Sequence, residues 1–206
     1  PAWSVMAKKT LPEYANHISM TLTPMVLTGR MIKKRHPDCK VVFIGPCAAK
    51  KLEASRRSVR SDIDFVLTFE EMMGIFDAKG IEEFRQTSSS YGKGFAASGG
   101  VANAVVNVLN SIDPDREVKT VKAEGLAECK KMLMLAKAGK YDGYLLEGMA
   151  CPGGCLGGAG VLADVRKAGI ALEQDKSKSE LTKPSQSEYL KYLHLITKEE
   201  LYENED

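Results

Sequence analysis

The sequence predicts an α/β fold in which largely parallel sheets are flanked by helices and divided between two lobes. Short runs of β-branched and aromatic residues alternate with longer segments in which apolar residues recur at helical spacing. Such alternation is typical of parallel sheets with helices on their faces. Two of the predicted strands lead directly into loops that carry cysteines. Because ligands of open α/β sheets bind beyond the carboxyl ends of strands, these loops are the first candidates for a site.

A helix and a strand are predicted before Cys47. Apolar residues at helical spacing predict a helix over residues 25–35, which ends because Pro37 cannot continue it. Residues 40–44 form a β-branched and aromatic run that predicts a buried strand. A Gly-Pro pair ends this strand, and the loop that follows carries Cys47.

A second strand and helix follow. Residues 64–67 predict a short strand. Thr68 and Glu71 stand three positions apart, which is the capping-box pattern of a helix start. We expect this helix to reach about Lys79, because Gly80 is a typical helix stop.

The remaining elements alternate in the same way. The pattern predicts a helix, a strand, a second helix and a second strand, over residues 101–109, 117–123, 126–138 and 141–146. The last strand leads into a glycine-rich loop over residues 151–160. The predicted organisation is an α/β domain, a charged linker, and a terminal helix with an acidic tail, over residues 1–172, 173–186 and 187–206.

Composition argues against several classes of function. The 206 residues include 29 basic and 27 acidic side chains, and a formal charge of +2 does not predict nucleic-acid binding. No run of about 18 apolar residues occurs, so no membrane span is predicted. The chain starts at Pro1 instead of methionine and lacks the pattern of a signal peptide. We therefore expect part of a longer, cytoplasmic protein.

The five cysteines stand at uneven spacing, which is a poor pattern for a disulfide scaffold. Cys39 precedes a strand and Cys129 lies in an amphipathic helix, so both are interpreted as small core or near-surface residues. Cys47, Cys151 and Cys155 lie in loops that follow strands. These three are the candidate metal ligands.

The loop with Cys151 and Cys155 is the most informative segment. Two thiolates three residues apart converge on one metal site only if the backbone bends sharply, and the intervening Pro-Gly-Gly allows that bend. Backbone N–H groups in such a loop can also donate to the sulfides of a cluster. A glycine-rich turn with two incidental cysteines is one alternative. A zinc knuckle is another, although zinc sites usually have a two-residue gap.

The loop after the first strand is a weaker signal. Cys47 is followed three residues later by Lys50, a cation that favours a thiolate or an anionic ligand. Glu53 is placed to pair with this lysine. Taken alone, the segment favours a structural cysteine beside two solvated lysines.

Together the two segments resemble the second and third signature motifs of the iron-only hydrogenase catalytic domain. The matching residues are Pro46, Cys47, Lys50 and Glu53 in one segment, and Glu147, Met149, Ala150, Cys151, Gly153, Gly154 and Cys155 in the other. The family's first motif is Thr-Ser-Cys-Cys-Pro-x-Trp, and Pro1 and Trp3 match its end. Phe95, Ser98 and the two glycines after it resemble the family's aromatic-plus-glycine loop over the cluster.

This resemblance implies two lobes that enclose a cluster. The family holds a 4Fe-4S cubane on four cysteines, one of which bridges to a diiron subcluster with carbonyl, cyanide and dithiolate ligands. By position, three ligands are Cys47, Cys151 and Cys155, with Cys155 as the bridge, and the fourth precedes Pro1. The implied reaction interconverts dihydrogen with protons and electrons. We expect the 206 residues by themselves to be inactive.

The resemblance also implies roles for other residues. Lys50 matches the lysine that donates a hydrogen bond to a cyanide, and Met149 matches the methionine beside the diiron unit. Ser19 stands at the spacing of a proton-relay serine. The other catalytic candidates are Glu53 and Phe95, and the cofactor-binding candidates are Pro46, Gly153, Gly154 and Ser98.

The implied partners are a ferredoxin-like electron carrier or an upstream iron–sulfur domain, and the hydrogenase maturation proteins. Two departures keep other functions open: Gly45 stands where the family has methionine, and Val161 follows the glycines in place of Gln-Pro. A redox or hydrogen sensor, or a cytosolic iron–sulfur assembly factor of the same fold, is the alternative. Retention of Lys50, Glu53 and Met149 argues against the assembly factor. A zinc-bound structural module is a third hypothesis.

Overall fold

The computed structural model describes residues 2–82 and 88–202. Within these residues the strands are β1 (Val42–Ile44), β2 (Phe65–Leu67), β3 (Thr120–Glu124) and β4 (Leu145–Met149). The α-helices are α1 (Ala2–Thr10), α2 (Pro24–Arg35), α3 (Ala49–Ala54), α4 (Phe69–Lys79), α5 (Ser90–Gly94), α6 (Gly100–Ile112), α7 (Leu126–Lys137) and α8 (Val165–Ser177). Short 3₁₀ helices cover Pro12–His17, Gly154–Gly157, Pro184–Gln186, Glu188–Leu195 and Glu199–Leu201.

The strands of the described residues pair in two separate parallel sheets. β1 pairs with β2, with Val42 opposite Phe65, and β3 pairs with β4, with Thr120 opposite Leu145. Parallel strands need a crossover connection. Helix α3 lies in the first crossover and α7 in the second. The predicted α/β class, with parallel sheets flanked by helices, is confirmed.

Each sheet has an apolar core of its own. The core beside β1 and β2 consists of Leu22, Met25, Val26, Val41, Val59, Ile63 and Val66. The core beside β3 and β4 consists of Ala123, Cys129 and Met132. A neighbouring cluster consists of Ala7, Leu11 and Leu133, and Trp3 packs against both clusters. Burial of these side chains fixes the sheets, and with them the loops that follow β1 and β4.

The predicted bounds of the elements in the first lobe hold closely, but the prediction that β1 is buried is wrong, because Val42 and Ile44 are 46% and 40% exposed. Helix α2, strands β1 and β2, and helix α4 begin and end within two residues of the predicted bounds. The capping box of α4 is formed, because Thr68 Oγ1 accepts from Glu71 N at 3.2 Å and Thr68 N donates to Glu71 Oε2 at 2.8 Å. Gly80 ends the helix in a left-handed conformation, with φ of 63°.

The predicted strand over residues 141–146 is wrong in its position. Residues 141–143 form a turn, in which Gly143 has a φ of 77° that does not continue a strand. Pairing with β3 begins at Leu145 and reaches Met149. Glu147 and Met149 therefore lie on β4 itself, directly before the cysteine loop.

Helix α8 extends to residue 177. Residues 173–177 are therefore helical, although the sequence analysis assigns them to the charged linker. The Asp164 carboxylate caps it, accepting from the N–H groups of Arg166 and Lys167 at 3.0 and 3.1 Å. Lys176 forms an ion pair with Glu173 at 2.7 Å. Because caps and surface pairs define this helix instead of a clear apolar stripe, periodicity does not detect it. The domain boundaries at residues 172 and 186 stay a prediction.

The C-terminal segment packs on α2. The predicted terminal helix is present as the 3₁₀ helix Glu188–Leu195, and the Arg35 guanidinium lies 4.4 Å from the centre of the Tyr192 ring. Arg30 donates to the Glu200 carbonyl at 2.6 Å. The last four residues of the predicted acidic tail lie outside the described residues. No helix within residues 2–82 and 88–202 has the length and apolar character needed to cross a membrane.

Candidate metal centre

Two cysteine loops meet at the carboxyl ends of β1 and β4. Cys47 lies in the loop between β1 and α3, and Cys151 and Cys155 lie in the loop that follows β4. Gly160 N donates to the Pro46 carbonyl at 3.0 Å. Gly158 lies so close to the same carbonyl that an added Cβ would be 2.5 Å from its oxygen. The predicted residue Pro46 therefore joins the two loops through its backbone.

The three candidate thiols lie close enough to affect one another. Burial raises the pKa of the Cys155 thiol; the Cys47 and Cys151 thiols raise it further, and the Lys50 ammonium opposes them. Burial also raises the pKa of the Cys151 thiol, with a second contribution from Cys47. The structure thus brings Cys47, Cys151, Cys155 and Lys50 into one electrostatic neighbourhood.

Within the described ranges, no three His, Cys, Asp or Glu side chains are arranged to hold a single metal ion. A tetrahedral zinc site needs its sulfur ligands at about 2.3 Å from one centre. A cubane instead takes each thiolate on a separate iron, so its ligands surround a larger volume.

Glycines let the second cysteine loop approach its neighbours. Gly153 and Gly154 have φ of 78° and 71°, a region that L side chains rarely adopt. A Cβ on Gly154 would lie 2.9 Å from both the Ala96 carbonyl oxygen and Ser98 N. Leu156 N donates to the same Ala96 carbonyl at 3.3 Å. The loop with Ser98 therefore lies directly against the cysteine loop.

Ser98 has an unused donor at this position. Its hydroxyl is buried and makes no hydrogen bond with any described residue. Its backbone carbonyl accepts from Lys122 Nζ at 3.2 Å. Phe95 begins the same loop and is half-buried. A buried hydroxyl without a partner is costly, so this geometry favours a group that accepts a hydrogen bond from Ser98.

Lys50 and Glu53 form a buried ion pair in the first turns of α3. Lys50 Nζ lies 2.5 Å from Glu53 Oε2, and the two side chains are 13% and 1% exposed. Lys50 also donates to Thr23 Oγ1 at 3.0 Å. The second Glu53 oxygen has no hydrogen-bond partner among the described residues. The predicted pairing of Lys50 with Glu53 is present. The hydrogen bond to Thr23 could not be predicted from the motif, because Thr23 lies outside it.

The other predicted residues are placed less directly. Met149 is half-buried at the end of β4, and its carbonyl accepts from Gly125 N at 2.8 Å and Cys129 Sγ at 3.4 Å. Cys129 is fully buried, as predicted, and burial raises its pKa. Ser19 is exposed, and its hydroxyl donates to Thr21 Oγ1 at 3.0 Å. Its role in a proton relay stays a prediction.

Three residues that the sequence analysis did not select as site residues hold the loops in place. Trp3 packs so tightly on Gly148 that its indole occupies the space of a Cβ there. Glu124 at the end of β3 accepts a short hydrogen bond from Gly153 N. Glu147 on β4 accepts from the backbone N–H groups of Gly99 and Ala102. Glu147 and Trp3 match positions of the family's signature motifs, and this match is the sequence signal that could have indicated their roles.

The sequence profile of the iron-only hydrogenase large subunit, C-terminal domain, matches residues 1–159. The chain belongs to this family. The resemblance predicted from the cysteine loops is thereby confirmed.

Curated relatives of the chain include both hydrogenases and Fe-S cluster assembly factors. The chain is 27% identical over 208 residues to the periplasmic [Fe] hydrogenase large subunit of Nitratidesulfovibrio vulgaris, an alignment that covers 78% of the chain and 49% of the relative. It is also 27% identical over 141 residues to the cytosolic Fe-S cluster assembly factor NAR1 of Kluyveromyces lactis, with 60% and 30% covered. The chain thus spans half or less of the length of these relatives.

Solved structures of [FeFe]-hydrogenases share the fold. One superposes with a TM-score of 0.75 at 22% identity, covering 99% of this chain and 73% of that chain. HydA1 from Chlamydomonas reinhardtii superposes with a TM-score of 0.69 at 21% identity, covering 94% and 69%. The hydrogenase-domain fold is therefore present across nearly all of the chain.

Proposed function

We propose that this chain binds a 4Fe-4S cubane through Cys47, Cys151 and Cys155 and serves as the catalytic domain of a hydrogenase. The main support is the meeting of the two cysteine loops, which the hydrogen bond from Gly160 N to the Pro46 carbonyl joins at 3.0 Å. Cys47 lies close enough to contribute to the raised pKa of both Cys151 and Cys155. The proposal takes the fourth thiolate from the family's first motif, before Pro1. When bound, a cubane with a diiron subcluster supplies the electron transfer and the cleavage or formation of dihydrogen.

The described residues fit a cluster in three respects. The three thiols lie where the two cysteine loops meet, and Cys47 contributes to the raised pKa of both Cys151 and Cys155. The glycines let the cysteine loop pack closely on the Ser98 loop, because a Cβ on Gly154 would lie 2.9 Å from Ser98 N. The buried hydroxyl of Ser98 lacks a hydrogen-bond partner among the described residues, which is costly and which an anionic group would supply.

Lys50 is suited to hold an anionic ligand. An ammonium group has three N–H donors, and Glu53 and Thr23 use two of them. Within the part of the chain that the structure describes, no hydrogen bond uses the third, which can therefore donate to a cyanide or a sulfide. Glu53 fixes the ammonium in place, while Met149 and Phe95 would cover the site with apolar surface. A dry site strengthens each of these electrostatic contacts.

A non-catalytic iron–sulfur protein is the second candidate, because the alignment with the NAR1 assembly factor covers 60% of the chain. Gly45 and Val161 also depart from the hydrogenase pattern. Both candidates share the cubane and its cysteines. The diiron subcluster, a ferredoxin-like electron partner, the maturation proteins and a cytoplasmic location belong to the first proposal.

Infrared spectroscopy separates the two candidates. The protein is produced anaerobically from its complete reading frame together with hydrogenase maturation factors. Carbonyl and cyanide stretching bands, with dihydrogen turnover, are expected for the hydrogenase. Absence of these bands beside a cubane signal in electron paramagnetic resonance would favour the second candidate.

Matched cysteine variants test the ligand set. Cys47→Ser removes a proposed ligand and should reduce the iron content and the cubane signal. Cys39→Ser makes the same chemical change at a half-buried cysteine outside the two loops and should leave both unchanged. Equal iron content in the two variants would contradict the role of Cys47.

A further inference from the structure

Helix α6 begins without a capping side chain of its own. Its N-cap residue is Gly99, which has no side chain, and its third residue is Ala102. A local capping box needs polar side chains at these two positions, one for each of the two backbone N–H groups. The sequence of α6 therefore leaves these donors to a partner from elsewhere in the fold.

Glu147 supplies both acceptors from strand β4. Its Oε1 accepts from Gly99 N at 2.8 Å, and its Oε2 accepts from Ala102 N at 2.7 Å. These are the same two N–H groups that a capping box satisfies, here bonded by one carboxylate that lies 45 and 48 positions away in the chain. The side chain is buried, with 9% of the residue exposed, and the N-terminus of a helix favours a carboxylate there.

This contact links the two loops that face each other in the site. Gly99 ends the loop that contains Ser98, and that loop packs against Gly154 between the two cysteines. Glu147 precedes Cys151 by four residues on the strand that delivers the cysteine loop. The Glu147 carboxylate therefore fixes the Ser98 loop to the strand that precedes the cysteine loop.

We propose that Glu147 is a positioning residue, which caps α6 from β4 and thereby holds the Ser98 loop against the cluster. The inference rests on the proposed cubane. A glutamine at this position has one acceptor oxygen, and its NH₂ group cannot accept, so one of the two buried N–H groups loses its partner. An aspartate keeps both acceptors but is one methylene shorter and reaches at most one N–H group well.

The test compares Glu147→Gln with Glu128→Gln at equal cubane content. Glu128 is exposed on α7, where its ion pair with Lys131 spans 3.6 Å. Hydrogen exchange, measured by NMR, should show roughly tenfold to hundredfold faster exchange at Gly99 or Ala102 in Glu147→Gln alone. The line shape and reduction potential of the cubane should also change in Glu147→Gln, while Glu128→Gln matches the unaltered protein in both measurements.

Three outcomes would overturn the inference. Unchanged exchange at both amides would show that Glu147 does not cap α6. Faster exchange with an unchanged line shape and potential would reduce Glu147 to a structural cap without effect on the cluster. If Glu147→Gln does not fold, Glu147→Asp is measured in the same way. Amide exchange, cubane line shape and reduction potential equal to those of the unaltered protein would then contradict the proposal. An unaltered protein that takes up no cubane would instead contradict the proposed function itself.

Discussion

The Lys50→Met substitution removes a cation that pairs with a buried carboxylate. Lys50 Nζ lies 2.5 Å from Glu53 Oε2, and the Glu53 side chain is 1% exposed. Methionine has nearly the length of lysine, so the change removes the charge with little change in volume. The Glu53 carboxylate is then left in a low-dielectric environment without its partner, and water cannot reach it to replace the ammonium.

The expected loss follows from this burial. Removal of one partner from a buried ion pair costs about 3–5 kcal/mol. Among the described residues, the second Glu53 oxygen has no partner even before the change, so nothing else compensates. Because a domain of this size is stable by about 5–15 kcal/mol in total, the loss is a large part of the free energy of unfolding.

Urea denaturation, followed by circular dichroism under reducing conditions, measures this loss. Lys51→Met is the matched control, because Lys51 and its partner Glu71 are 43% and 46% exposed at 2.8 Å. An exposed pair is worth about 1 kcal/mol or less. The hydrogen bond from Lys51 Nζ to the Val66 carbonyl at 2.9 Å adds about 0.5–1.5 kcal/mol, so the control should lose less stability than Lys50→Met. The double variant of Lys50→Met with Glu53→Gln should recover part of the loss, since it removes the unpaired charge.

The reasoning fails if Lys50→Met loses no more than Lys51→Met. It also fails if the double variant is no more stable than Lys50→Met, because the cost would then not come from an unpaired carboxylate. A loss of about 3 kcal/mol or more, with partial recovery in the double variant, agrees with a buried pair.

Two further predictions concern a glycine and a titrating carboxyl group. Gly154→Ala should lower the free energy of unfolding by at least about 1–2 kcal/mol, because φ is 71° and the new Cβ meets the Ala96 carbonyl and Ser98 N at 2.9 Å. Gly169→Ala, in the open part of α8, should instead raise it by up to about 1 kcal/mol, and urea midpoints measure both. Hydrogen bonds from Lys33 and the Val41 backbone hold the pKa of Asp64 well below its usual range, so its stabilising contribution is complete above about pH 4 and is lost as the pH falls below that. Asp64→Asn should therefore be less stable at pH 7 and lose less stability between pH 4 and pH 2; parallel losses in the two proteins would contradict this.

The parts of the fold that the sequence predicts are those with local causes. The start and stop of α4 depend on Thr68, Glu71 and Gly80, which lie within or beside the helix itself. The bounds of β4 depend instead on its pairing with β3, which no local pattern contains. The spacing of apolar residues does not predict helix α8, because a capping side chain and surface charges define it.

The same division applies to the site. The three cysteines and Lys50 stand in short motifs, and the resemblance of these motifs to the signatures of the family selects them. The partners that hold them are distant in sequence: Thr23 is 27 positions from Lys50, and Glu124 is 29 positions from Gly153. Only the fold brings these pairs together, so a single sequence cannot indicate them.

Parallel pairing explains why carboxylates recur at this site. Parallel strands end at the same edge of a sheet, so β3 and β4 deliver Glu124, Glu147 and the loop with Cys151 to one place. Loops that approach a cluster through glycines have few side chains with which to satisfy their own N–H groups. Carboxylates on the adjacent strands accept from those groups: Glu124 from Gly153, and Glu147 from Gly99. A glutamate four residues before the first cysteine of the loop therefore has a physical role of its own, distinct from the metal binding proposed for the cysteines that follow it.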